Sequence, residues 1–196
     1  MLEVRRKIVH AMGVFSIFII LYFGKWVGTL TLLLATLILL LLAEYRKNRQ
    51  RYKALRIKKL DEFEEFIENG FKEYERPNTL PFKGAIEFFF GCFLATLLFQ
   101  PFIAIAAIAV LSISDAMSTL IGSHFGKHKI SFNKSKSLEG SLTFFLTTIF
   151  ILIFFLTDPI KILIVSILAT FAELIPKIDD NLTIPLVVGA ALFLLG

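Results

Sequence analysis

Asp115 sits inside an uninterrupted apolar run. An ionisable side chain buried in such a run is expensive to keep, and its default reading is functional. Glu87 and Glu173 stand in the same position in two other apolar runs, whereas Glu139, Asp179 and Asp180 lie in polar segments beside them. Five of these carboxylates, Asp115, Glu139, Glu173, Asp179 and Asp180, are expected at one edge of the same membrane. Gathered there they repel one another unless a cation intervenes. Hard oxygen ligands favour magnesium, usually shared with substrate phosphates. The plainer role for any of them is to cap a helix or to pair with a lysine.

A second group of residues complements that anionic set. Between Gly122 and Gly140 lie Lys127, Lys129, Lys134 and Lys136, with His124, His128 and Gly126 among them. Glycine lets backbone amides come close to a phosphate, and lysines supply point charges. The segment runs through Ser137 directly into another apolar run, and the amino-terminal dipole of a helix starting there also favours an anion. Basic character alone says little in a loop. An intramembrane Asp combined with paired lysines and a Lys-Ser-x-Glu-Gly helix start says more.

These residues need a scaffold, and composition dictates its kind. The chain has 196 residues, 56% of them hydrophobic, with 22 Phe. A water-soluble domain of that size would be left with exposed apolar patches far larger than soluble proteins carry. An ordinary cytosolic enzyme, a disordered chain and a nucleic-acid-binding module are therefore excluded, and the expected class is an all-α, multi-pass integral membrane bundle. Seven apolar stretches divide the sequence: 8–23, 26–43, 80–99, 102–121, 141–157, 160–175 and 182–196. Several are at or below the roughly 20 residues that a crossing needs. The six prolines fall at the ends or in the first turns of these stretches, where a missing amide hydrogen does least harm. The first stretch follows Arg5, Arg6 and Lys7 but shows no small-residue cleavage pattern, so it reads as an uncleaved span. With the N-terminus in the cytoplasm, all but Lys25 and Lys161 of the 21 Lys and Arg fall on the cytoplasmic side, as the positive-inside rule requires. The net charge of +5 is thus a matter of topology, not of binding nucleic acid. Residues 44–78 form the longest cytoplasmic segment, basic and then acidic, with apolar residues near helical spacing that suit the membrane interface. The lone Cys92 lies in an apolar run, as buried cysteines do. The whole of 1–196 reads as one transmembrane catalytic domain, with 122–140 as its nucleotide-binding loop.

Ser114-Asp115-Ala116, Phe125-Gly126-Lys127 and Lys136-Ser137-Leu138-Glu139-Gly140-Ser141 resemble the signature of the CTP-dependent lipid kinases, the polyprenol (dolichol), phytol and yeast-type diacylglycerol kinases. Glu3-x-x-Arg6-Lys7-x-x-His10 resembles that family's amino-terminal pattern. Glu173 followed by Asp179-Asp180-Asn181-Leu182 and Pro185 resembles its carboxy-terminal one. The chain departs from the family in carrying Ser114 where a glycine is usual. The resemblance implies CTP as phosphoryl donor and a membrane lipid alcohol as acceptor, meeting at the cytoplasmic face; the compact length favours a prokaryotic cell membrane. It implies catalytic roles for Asp115, Glu139 and Asp180, and a magnesium site from Asp115 with Glu139, Asp179 and Asp180. CTP would be bound by Gly122, Gly126, Lys127, Lys129, Lys136, Ser137 and Gly140, assisted by Arg6, Lys7 and His10, with Glu173 and Asn181 nearby. Asp180 and Asp115 both remain candidates for the base.

Two other classes compete. The motif is related to that of the phosphatidate cytidylyltransferases, which would make a CDP-lipid; their pattern carries a proline that Asn133–Gly140 lacks. A transporter would place polar groups near the midplane and repeat its halves, and neither feature is evident. A homo-oligomer is left open.

Overall fold

A computed structural model describes residues 13–48, 80–175 and 179–196. Among these described residues are seven helices: α1 (Val14–Phe23), α2 (Lys25–Lys47), α3 (Lys83–Leu98), α4 (Pro101–Phe125), α5 (Leu138–Leu152), α6 (Pro159–Leu174) and α7 (Asp180–Leu195). Each falls on one of the seven apolar stretches. Two of them, α2 with 23 residues and α4 with 25, are long and apolar enough to cross a membrane. The others are shorter than a usual crossing. The segment between α4 and α5 departs from the all-α expectation, because β1 (Lys129–Ile130) and β2 (Asn133–Ser137) pair there as an antiparallel hairpin. Asn133 and Ser137, at the two ends of β2, are buried, while Lys134 and Ser135 are exposed. Arg6, Lys7, His10 and most of the 44–78 segment lie outside the described residues.

Local chemistry sets the helix boundaries. Gly24, at φ 85°, ends α1 and opens α2, a conformation glycine adopts without strain. Pro101 and Pro159 occupy first turns, where proline belongs. Asp158 caps α6 by accepting from the Ile160 and Lys161 amides, Ser137 caps α5 by accepting from Gly140, and Asp179 caps α7 by accepting from Asn181. Pro185 corrects the sequence expectation. Because α7 begins at Asp180, this proline lies inside the helix and not in its first turn. It has no N–H to offer the Asn181 carbonyl one turn back. That carbonyl instead lies against Gly91 of α3, where a Cβ would come within 2.0 Å of it.

The core is built around α4. Ala104, Ala106 and Ala107 are buried on it, beside Ile108, Val110 and Leu111. Small side chains let backbones approach closely. Phe144 of α5, Val165 of α6 and Val188 of α7 complete the packing. Outward faces carry large apolar side chains, among them Phe15, Leu41, Phe150 and Leu194. Within α4, Val110–Ser114 winds as a π-helix immediately before Asp115.

Antiparallel packing brings the start of α3, the end of α4, the start of α5, the end of α6 and the start of α7 to one end of the bundle. The hairpin lies there too, tied down by Asn133, whose amide donates to the Leu174 carbonyl at 3.1 Å. Lys25, Asp158 and Lys161 mark the opposite end.

Candidate functional site

At the hairpin end, one lysine organises the acidic residues. Lys136 reaches from β2 to Glu173 Oε1 of α6 at 2.7 Å and to Asp180 Oδ2 of α7 at 2.6 Å. The second oxygen of Glu173 accepts from the Ser141 hydroxyl of α5 at 3.1 Å. Asp115 of α4 is buried close enough for its charge to act on Lys136. Burial works against the Lys136 charge, but Asp180, Asp115 and Glu173 outweigh it and hold the ammonium above the ordinary lysine range. Lys136 therefore stays protonated and links β2, α6 and α7. Glu173 is 1% exposed, while the Lys136 and Asp180 side chains keep 18% each. The cluster thus has a buried root and an accessible rim.

The rim is basic: Lys127, Lys129 and Lys134 are exposed around it, with His124 and His128. Gly122, Gly126 and Gly140 converge on the Ser137 hydroxyl, where a Cβ on Gly126 would come within 2.2 Å of the Gly122 carbonyl and 2.4 Å of Ser137 Oγ. Here the glycines allow α4, the hairpin and the start of α5 to meet.

Glu139 stands apart from the lysine cluster. It accepts from its own backbone N–H, from the His128 ring at 2.6 Å, and from the backbone N–H groups of His128 and Lys127. These donors hold its half-buried carboxyl down at about 2. Asp179 is engaged as the α7 cap, and its side chain also meets that of Glu87. Among the described residues, no three acidic, histidine or cysteine side chains are grouped to hold a metal ion. The expected quartet of Asp115, Glu139, Asp179 and Asp180 is divided because a histidine, a helix start and a lysine each claim one member. Among the described residues these four carboxylates are therefore not gathered at one point.

Of the sequence-derived candidates, the structure brings together Asp115, Lys136, Glu173 and Asp180, and separately Gly122, Gly126, Ser137 and Gly140. Asn181 is buried one residue beyond Asp180. Sequence reasoning overlooked Ser141 as the partner of Glu173 and Thr148 as the partner of Ser114, whose hydroxyls meet at 3.1 Å. It also left Glu87 without a partner. The available signal was a polar side chain recurring inside otherwise apolar helices.

No family model matches the chain, and no solved structure matches it. It is 31% identical to RP860, an uncharacterized protein of Rickettsia prowazekii, across 94% of this chain and 90% of that one. It is 37% identical to the probable phytol kinase 3, chloroplastic, of Glycine max over 43% of this chain. It is 36% identical to the chloroplastic farnesol kinase of Arabidopsis thaliana over 47% of this chain. These two matches cover about a third of each plant protein, 31% and 36%.

Proposed function

This chain belongs to the family of RP860, and on that premise we propose that it is a membrane kinase that phosphorylates a lipid alcohol. The donor is CTP, presented as its magnesium complex, and the acceptor is an isoprenoid alcohol of the polyprenol or dolichol kind. The bundle lies in a prokaryotic cell membrane with its hairpin end in the cytoplasm. The names of the plant relatives support the reaction class, since both are named for kinases of isoprenoid alcohols. The observation that carries the reading is the charged Lys136 held by Glu173 and Asp180 at the end of an apolar bundle. A triphosphate is confined to water, and a lipid hydroxyl is confined to the headgroup level. They can meet only at such an edge.

The residues divide the work by exposure. The exposed Lys127, Lys129 and Lys134 attract the phosphates, and Lys136 holds the end nearest the cluster. Phosphoryl transfer requires positioning and charge neutralisation above all. Asp180 is the better base, because Asp115 is fully buried beneath the cluster and Asp180 lies at its rim. The alcohol oxygen bonds to the γ-phosphorus, the bond to CDP breaks, and the hydroxyl proton passes to Asp180. Asp115 supports the cluster from below.

The test is purified chain in nanodiscs with magnesium, a panel of lipid alcohols, and CTP labelled at the α or the γ phosphorus. The expected result is γ label in the lipid. Entry of the α label would mean a cytidylyltransferase, and no label from any donor would end the kinase reading.

A further inference from the structure

One polar group at the hairpin end is not used by the lysine cluster. Glu87 of α3 lies 3.6 Å from Lys83 and meets the side chain of Asp179. Asn181 reaches back to α3, where its Nδ2 donates to the Gly84 carbonyl at 3.5 Å. Asn181 is 2% exposed. Glu87 Oε2 and Asn181 Oδ1 are both buried with no hydrogen-bond partner among the described residues. Both atoms are acceptors. Buried polar atoms are nearly always satisfied, so two neighbouring helices presenting unsatisfied acceptors imply a missing donor.

The surroundings specify what carries the donor. Asn181 follows Asp180 directly, so the donor would lie beside the lysine cluster. In the other direction, Phe90, Phe93 and Leu97 continue along α3 from Glu87 at helical spacing. Phe90 and Leu97 are exposed, and the Phe90 and Phe93 rings stack at 6.1 Å. Ten residues of helix from Glu87 to Leu97 span about 15 Å. A ligand fitting both features has an O–H at one end and an apolar chain behind it.

We propose that Glu87 and Asn181 receive the hydroxyl of the lipid acceptor, with its chain lying along Phe90, Phe93 and Leu97 on α3. The assignment rests on the lipid-alcohol reading, and it adds the acceptor site to it. Before transfer the hydroxyl hydrogen is held by Glu87 Oε2 or Asn181 Oδ1, and as the bond to phosphorus forms it turns to Asp180, the neighbour of Asn181 in sequence. The Phe90–Leu97 stripe sets how much chain is gripped.

The experiment measures binding and turnover separately in the full chain in nanodiscs, using tritiated farnesol and a longer polyprenol as probes. Glu87→Gln, which leaves only a neutral acceptor, and Asn181→Ala, which removes one, should each weaken farnesol binding about tenfold, the effect of weakening or losing a buried hydrogen bond. KM for the nucleotide should stay within about twofold. Phe90→Ala, at an exposed position that does not threaten folding, should weaken farnesol and the longer alcohol alike, because it lies at the hydroxyl end of the stripe. Unchanged farnesol binding in folded Glu87→Gln and Asn181→Ala overturns the site. So does an altered magnesium requirement with unchanged alcohol binding, which would make the pair a cation site. If wild-type chain binds the alcohol through these residues but transfers no phosphoryl group, the site stands and the kinase reading fails.

Discussion

Replacing Lys136 by Met removes the cation that neutralises the carboxylates at the hairpin end while keeping most of the side-chain bulk. Glu173, 1% exposed, would lose its partner at 2.7 Å and keep only the Ser141 hydroxyl. Removing one member of a buried ion pair typically destabilises by about 3–5 kcal/mol. Lys136 is partly accessible, so the lower end, about 3 kcal/mol, is expected. For a chain of this length that corresponds to a fall of about 6–12 °C in the unfolding midpoint. Thermal unfolding in detergent, followed by circular dichroism, would measure it. Glu173→Gln in the same background removes the stranded charge, so the double variant should be more stable than the sum of the single changes implies, by about 2 kcal/mol. A loss below about 1 kcal/mol in Lys136→Met, or strict additivity in the double variant, would refute the claim that this lysine holds the site together. Nucleotide titration on the same samples should show a raised KM.

Asp115→Asn should abolish transfer while the protein remains folded and inserted, as judged by circular dichroism and gel filtration. Gly91→Ala should cost about 2 kcal/mol of stability, since the new methyl meets the Asn181 carbonyl, a backbone atom that cannot swing away; an unchanged midpoint would contradict the close approach of α3 to α7. Ser137→Ala should lower stability by about 1 kcal/mol through loss of the α5 cap, measured as a midpoint shift. Glu139 is a carboxylate whose folded pKa lies below its unfolded one, so its contribution is present above about pH 4.5 and fades as pH falls towards 2. The midpoint difference between wild type and Glu139→Gln should therefore shrink over that interval; a constant difference would mean that the His128 contact contributes nothing.

The helices were legible because each apolar run is bounded by its own punctuation. Pro101, Asp158-Pro159 and Asp179 announce helix starts by local chemistry alone. The end of the bundle that carries the site was legible too, because apolar runs must alternate in direction and the lysines collect on one side. The partners of the charges were not. Whether Glu139 meets a metal or His128, and whether Asp180 meets magnesium or Lys136, is decided by long-range packing. Residues 11 and 44 positions apart come within 3 Å in these pairs, and spacing along the chain does not encode that. The hairpin was hidden by its shortness, and Pro185 was misplaced because two polar residues, Asp180 and Asn181, belong to a helix whose apolar part begins after them.

The five-residue wide turn ahead of Asp115 acts as a phase shifter in α4. Each residue of an ordinary helix advances the azimuth by about 100°, and a π insertion absorbs one such step without breaking the rod. The alanine-rich stretch and the Asp115–Phe125 stretch can thus be indexed independently, the first to mate with its neighbours and the second to aim a carboxylate. Excising one residue from Val110–Ser114 should restore ordinary winding with both stretches keeping their azimuths, whereas excising one from a regular turn of α4 should rotate one half against the other by about 100° and misdirect the acid.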